Sequence, residues 1–151
     1  MKKIHDNFLE PSNQQLNSLL EHYKAGRYID AEKLSLSITQ EFPKHKLAWK
    51  VLAAVLKQNG KINESLTVSQ KSVQLDPKDA EAHKNLGILL QEQNRLKEAE
   101  TSFKKAITLE PNYIEAHGNL GNNMKIQGKF KEAEISFRRV IELKPDFAEA
   151  H

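Results

Sequence analysis

Four of the five prolines in this 151-residue chain, Pro43, Pro77, Pro111 and Pro145, stand at equal intervals of 34 residues. Equal spacing of a residue that interrupts backbone hydrogen bonding is a mark of internal repetition. A period of this length means supersecondary units that bury a face against the next one along. Proline has no N–H to donate and its ring collides with the preceding turn, so it closes a helix. Recurring at one phase, it closes the same helix in each unit.

Laid in register, the units read "HKLAWKVLAAVLKQNGKINESLTVSQKSVQLDP", "DAEAHKNLGILLQEQNRLKEAETSFKKAITLEP" and "YIEAHGNLGNNMKIQGKFKEAEISFRRVIELKP". Each holds two stretches with the apolar spacing of an amphipathic helix. In the middle one, Leu86, Leu89 and Leu90 share one face, and Leu96, Ala99, Phe103, Ala106 and Ile107 share a second. Between the stretches stand Gly60, Asn94 and Gly128. A helix that ends in a left-handed residue favours glycine, with asparagine as the usual substitute. The unit is therefore a helix hairpin, and the chain is predicted to be all-α.

These residues resemble the tetratricopeptide repeat (TPR) family, whose pattern is a large residue, leucine-glycine, an aromatic or leucine, alanine, an aromatic, alanine and proline. The third repeat supplies His83, Leu86-Gly87, Leu90, Ala99, Phe103, Ala106 and Pro111, and the fourth His117, Leu120-Gly121, Met124, Ala133, Phe137, Val140 and Pro145. The second gives Trp49, Leu52-Ala53 and Leu56, then serines at 65, 69 and 72 where small or aromatic packers are usual. The resemblance implies a right-handed α-solenoid of antiparallel helix hairpins. It divides the chain into a leader (1–11), a divergent first repeat (12–43), repeats at 44–77, 78–111 and 112–145, and the start of a fifth (146–151). In the first repeat Leu16, Leu19, Leu20 and Tyr23 fit the motif only if one residue is missing before the turn, and Ser12 with Gln15 reads as a capping box. The closing "AEAH" matches the first turn of the third repeat, so a further repeat, in a longer protein, is expected beyond it.

The chemistry of an enzyme is not legible in this pattern. There is no cysteine, which excludes disulfides and thiolate sites. Phosphate-cradling glycine motifs, a nucleophile elbow and H-E-x-x-H are all missing, so no catalytic residue, metal or cofactor is predicted. His83, His117 and His151 recur every 34 residues, but equivalent positions of stacked helices lie roughly 10 Å apart. Ligands of one zinc ion converge far more closely. Trp49 fills the same slot, so packing is the simpler reading. The net charge of +3 comes from finely interspersed charges with no basic run, and no apolar stretch suits a signal or a membrane span. Neither nucleic acid nor membrane insertion is expected, and the expected compartment is the cytoplasm.

In the family the first helices line a concave face that takes an extended or helical segment of another protein. Carried across, the candidate groove residues are Lys50 and Lys57 in the second repeat, Lys84, Asn85 and Gln91 in the third, and Asn119, Asn122 and Lys125 in the fourth. Asn85 and Asn119 share one slot, and an amide that donates and accepts at once suits a peptide backbone. The lysines imply a modestly positive floor and an acidic peptide. The carboxylate-clamp subtype that binds chaperone tails is not matched, since its slots read Lys50, Ala54, Asn85, Glu115 and Asn119. An interaction scaffold is therefore the first expectation. The second is a substrate-recruiting arm of a larger, glycosyltransferase-like enzyme with its catalytic domain beyond residue 151. Self-association through the face of the last helix, around Phe137, Val140 and Ile141, is a further expectation.

Overall fold

The computed structural model describes residues 10–144 and contains eight helices among them. In chain order they are α1 (Asn13–Lys24), α2 (Tyr28–Glu41), α3 (Lys46–Gln58), α4 (Ile62–Leu75), α5 (Ala80–Glu92), α6 (Leu96–Leu109), α7 (Ile114–Ile126) and α8 (Phe130–Leu143). Most of the leader, Pro145 and the start of the fifth repeat, with His151, lie outside the described residues. The helices fall into two compact units, one through Asp76 carrying α1–α4 and one from Pro77 carrying α5–α8.

The turns inside the hairpins follow from the residues read above. Gly26, Gly60 and Gly128 have φ of 75°, 77° and 77°, and Asn94, the one other left-handed residue among the described ones, has φ 60°. After each, the next N–H reaches back to a first-helix carbonyl: Arg27 to His22, Lys61 to Leu56, Arg95 to Leu90 and Lys129 to Met124, all at 2.8–2.9 Å. This closes otherwise orphaned carbonyls at the helix end. First helices begin with side-chain caps in three cases. Ser12 and Gln15 form the expected capping box, His45 accepts from Ala48 N–H and Asp79 from Ala82 N–H.

The divergent first repeat keeps its turn in phase, because Gly26, Gly60, Asn94 and Gly128 are evenly spaced. Leu19, wholly buried, takes the register of Ala53, Gly87 and Gly121, so α1 places a large side chain where the later first helices carry small ones.

In the first unit the core gathers Leu19, Ala31, Ile38, Ala48, Val51 and Val55, with Leu20, Tyr23, Tyr28, Leu34 and Phe42 packed against it. In the second, Ala80, Ala106 and Ala116 let three helices approach closely, with Ile107, Leu109 and Tyr113 alongside. Phe103 is wholly buried there against Gly87, where an added Cβ would lie 2.6 Å from the ring.

The recurring histidine slot has a concrete role. Trp49 Nε1 donates to the Pro43 carbonyl at 2.8 Å, and His83 and His117 Nε2 meet the Pro77 and Pro111 carbonyls at 2.9 and 2.8 Å. A carbonyl only accepts, so each imidazole carries its proton on Nε2. Tryptophan and histidine interchange here because each offers a ring N–H to the proline carbonyl that closes the preceding hairpin.

Candidate interaction site

In the second unit, six of the eight residues singled out from the sequence stand on the two first helices, Lys84, Asn85 and Gln91 on α5 and Asn119, Asn122 and Lys125 on α7. Two hydrogen bonds show that α5 and α7 lie side by side. Lys84 Nζ donates to Glu115 Oε2 at 2.6 Å, and Asn123 Nδ2 donates to Gln91 Oε1 at 3.2 Å. Lys50 and Lys57 stand half-buried on α3 of the first unit.

Asn85 and Asn119, half-buried and 34 residues apart, make no side-chain hydrogen bond among the described residues. Their donors and acceptors are therefore open to a ligand on adjacent helices. Asn122 and Lys125 are exposed further along α7. Gln91 differs, because its carbonyl oxygen is already engaged by Asn123, which leaves its amide N–H groups as the donors it can offer.

Lys84 is not the open cation that the sequence implied. Its side chain is 12% exposed, paired with Glu115 and 5.5 Å from the centre of the Tyr113 ring. Burial alone would lower its pKa, but the Glu115 hydrogen bond and the Tyr113 contact outweigh it, and the net value is raised. Glu115 is held below the usual carboxylate range by the same Lys84 hydrogen bond. The lysine is firmly charged but answered. With Glu81 and Glu92 also on α5, the first-helix face of this unit has no excess of positive charge. The expected acidity of the ligand gains no support.

Sequence reasoning missed the polar group beneath this face. Asn123 is wholly buried, in the register that holds Val55 in α3 and Leu89 in α5. Its Oδ1 accepts from Gln127 Nε2 at 2.6 Å, and Gln127 also reaches Glu100 at 2.9 Å. Glu100 is further met by Lys104 at 2.6 Å and Lys129 at 3.0 Å. These bonds, the Lys104 one first, hold its pKa at about 2. The available signal was an amide in an otherwise apolar slot. The first unit carries a smaller version, with Glu32 taking Asn59 at 2.6 Å and Lys61 at 2.5 Å.

Paired helix hairpins of fixed length, closed by left-handed turns and offering open amides on their first helices, define a helical-repeat protein of the interaction type. Family models described as tetratricopeptide repeat match residues 80–113 and 114–147, and one described as TPR repeat matches residues 54–94. The chain belongs to the tetratricopeptide repeat family, and its fold is the all-α solenoid of that family.

Among solved structures, MamA is similar over 98% of this chain and 86% of its own, with 19% identity and a TM-score of 0.85. MamA from Desulfovibrio magneticus RS-1 is similar over 87% and 75%, with 25% identity and a TM-score of 0.81. YrrB, described as a TPR protein with an unusual peptide-binding site, is similar over 87% and 68%, with 20% identity and a TM-score of 0.79. No curated protein sequence matches the chain. The family and these neighbours are those of protein-interaction scaffolds, which are typically non-enzymatic. No helix of the described residues is long and apolar enough to cross a membrane.

Proposed function

We propose that the chain binds an extended or short helical segment of another protein along its first helices, with Asn85 and Asn119 as the central contacts. The observation that carries this is the pair of half-buried amides on adjacent helices with no side-chain partner among the described residues. Amides at equivalent positions can each pair with one peptide group of an extended ligand, reading its backbone rather than its side chains. Gln91, Asn122 and Lys125 extend the same contact along α5 and α7. Lys84 acts indirectly, by fixing Glu115 beside it. The description of YrrB, similar in fold, as peptide-binding is in keeping with this reading.

A pull-down from a lysate of the source cells, comparing the chain with an Asn85→Ala/Asn119→Ala variant, tests the proposal. Lys84 is left intact so that the Glu115 pair survives. A protein held by the parent and lost by the variant, with the circular dichroism melt unchanged, is the expected result. Equal retention by both would remove the site from these helices.

A further inference from the structure

Four side chains link α6 to the first-helix face of the second unit through hydrogen bonds of fixed sense. Glu100 accepts from Gln127 Nε2 at 2.9 Å, and the same nitrogen donates to Asn123 Oδ1 at 2.6 Å. Asn123 Nδ2 then donates to Gln91 Oε1 at 3.2 Å. An amide side chain turned end for end exchanges donor for acceptor with little change of shape. Here that freedom is removed link by link. Lys104 and Lys129 also bond Glu100 and keep it ionised. A carboxylate only accepts, so Gln127 aims its nitrogen at Glu100. Asn123 must then offer that nitrogen its oxygen and turn its own nitrogen to Gln91. Wholly buried, Asn123 has no water to bond instead.

The first unit holds only the outer half of this arrangement. Glu32 accepts from Asn59, whose Nδ2 also meets the Tyr28 carbonyl, and Val55 stands in the register of Asn123. The carboxylate cluster thus serves a turn without reaching the first-helix face. Asn123 is the link that extends it to Gln91. Gln91 is half-buried on α5, with its oxygen taken and its nitrogen without a hydrogen-bond partner among the described residues.

We propose that Glu100, acting through Gln127 and Asn123, positions Gln91 as a fixed hydrogen-bond donor, so that a peptide bound on this face must place a carbonyl oxygen there. The inference rests on the groove reading above and adds the register of the ligand. An extended peptide offers both N–H and C=O groups along its length, and the untied amides of Asn85 and Asn119 can turn to meet either. Gln91 meets only the C=O.

Exchanging the two ends of the relay tests this. Glu100→Gln with Gln127→Glu keeps the charge but moves the acceptor-only group next to Asn123, which turns round and draws the Gln91 nitrogen inward. The side-chain amide protons of Gln91, followed by NMR without any ligand, should exchange about tenfold more slowly in the swapped chain than in the parent. The binding probe is a peptide selected on the parent from a random displayed library and lost by Asn85→Ala/Asn119→Ala. It should bind the swapped chain about tenfold more weakly. Gln91→Glu keeps the oxygen that Asn123 bonds and removes the donors, so it should weaken the peptide similarly even if the swap does not fold. Unchanged Gln91 exchange in a folded swap, or equal binding by the parent and Gln91→Glu, would overturn the relay and leave the groove reading standing. A library that yields no peptide sensitive to Asn85 and Asn119 would overturn the groove reading, and the ligand register with it.

Discussion

The two units solve one packing problem with opposite distributions of volume. At the slot where a second helix presses on its first, the first unit has Ser35 and Ser69, and the second has Phe103 and Phe137. The facing residues compensate. Gly87 and Gly121 stand against the phenylalanines, and at the equivalent positions of the first unit stand Leu19 and Ala53. The glycines are required by close approach, since a Cβ at either would lie 2.6 or 2.7 Å from the ring. The serines bring hydroxyls into a dry interior, so they need acceptors. Ser35 Oγ donates to the Ala31 carbonyl and Ser65 Oγ, in the neighbouring slot, to the Ala53 carbonyl, each at 2.7 Å. A buried hydroxyl so bonded avoids a desolvation cost but adds little apolar contact. The lesson is that interior volume is held by pairs of positions and not by single ones.

The largest test of this comparison removes the ring. Phe103→Ala should destabilise the second unit by about 3–5 kcal/mol, read by urea melts, whereas Ser69→Ala should cost about 1–2 kcal/mol at most, as the loss of one neutral group. Equal effects would show that the two slots are not equivalent. Next, Gly87→Ala should cost about 1–3 kcal/mol through overpacking, because the Phe103 ring has nowhere to go. Gly121→Ala should cost less, since Phe137 is half-buried and can yield. Adding Phe103→Ser to Gly87→Ala recreates the Ala53–Ser69 pair. The double variant should be more stable than the two separate costs predict, by about 0.5–3 kcal/mol of coupling.

A subtler effect should appear in native-state hydrogen exchange. Amides of α3 and α4 should exchange faster than those of α5 and α6, because the serine-lined hairpin buries less apolar surface. Uniform protection would remove the energetic side of the comparison.

The smallest difference lies in acid. Glu100 has three side-chain partners and a pKa of about 2, and Glu32, lowered chiefly by its Lys61 hydrogen bond, has two. A carboxylate whose folded pKa is depressed contributes stability above its unfolded value, near 4.5, and loses it as pH falls through the folded one. Glu100→Gln should therefore be less stable than the parent at neutral pH, with the gap closing between pH 4.5 and about 2. A gap that persists unchanged at low pH would mean that the carboxylate's charge is not what Lys104, Gln127 and Lys129 recognise.

The sequence by itself determined the hairpins, their turns and the cap that starts α1. Each of these is decided within a few residues: glycine or asparagine for a left-handed turn, proline for a stop, Ser12 and Gln15 for a start. Apolar periodicity likewise showed which side of each helix faces inward, though it did not show what that side meets. The resemblance to the repeat family placed Lys84, Asn85 and Asn119 on the first-helix face, but the pairing of Lys84 with Glu115 spans 31 residues, and that of Asn123 with Gln91 spans 32. Only the tertiary structure brings such groups within hydrogen-bond reach. It therefore decided that Lys84 is answered, that Asn123 is buried and bonded, and that Asn85 and Asn119 are left with open amides. A helical period reports a direction around one axis, whereas charge and hydrogen bonding depend on distances between axes.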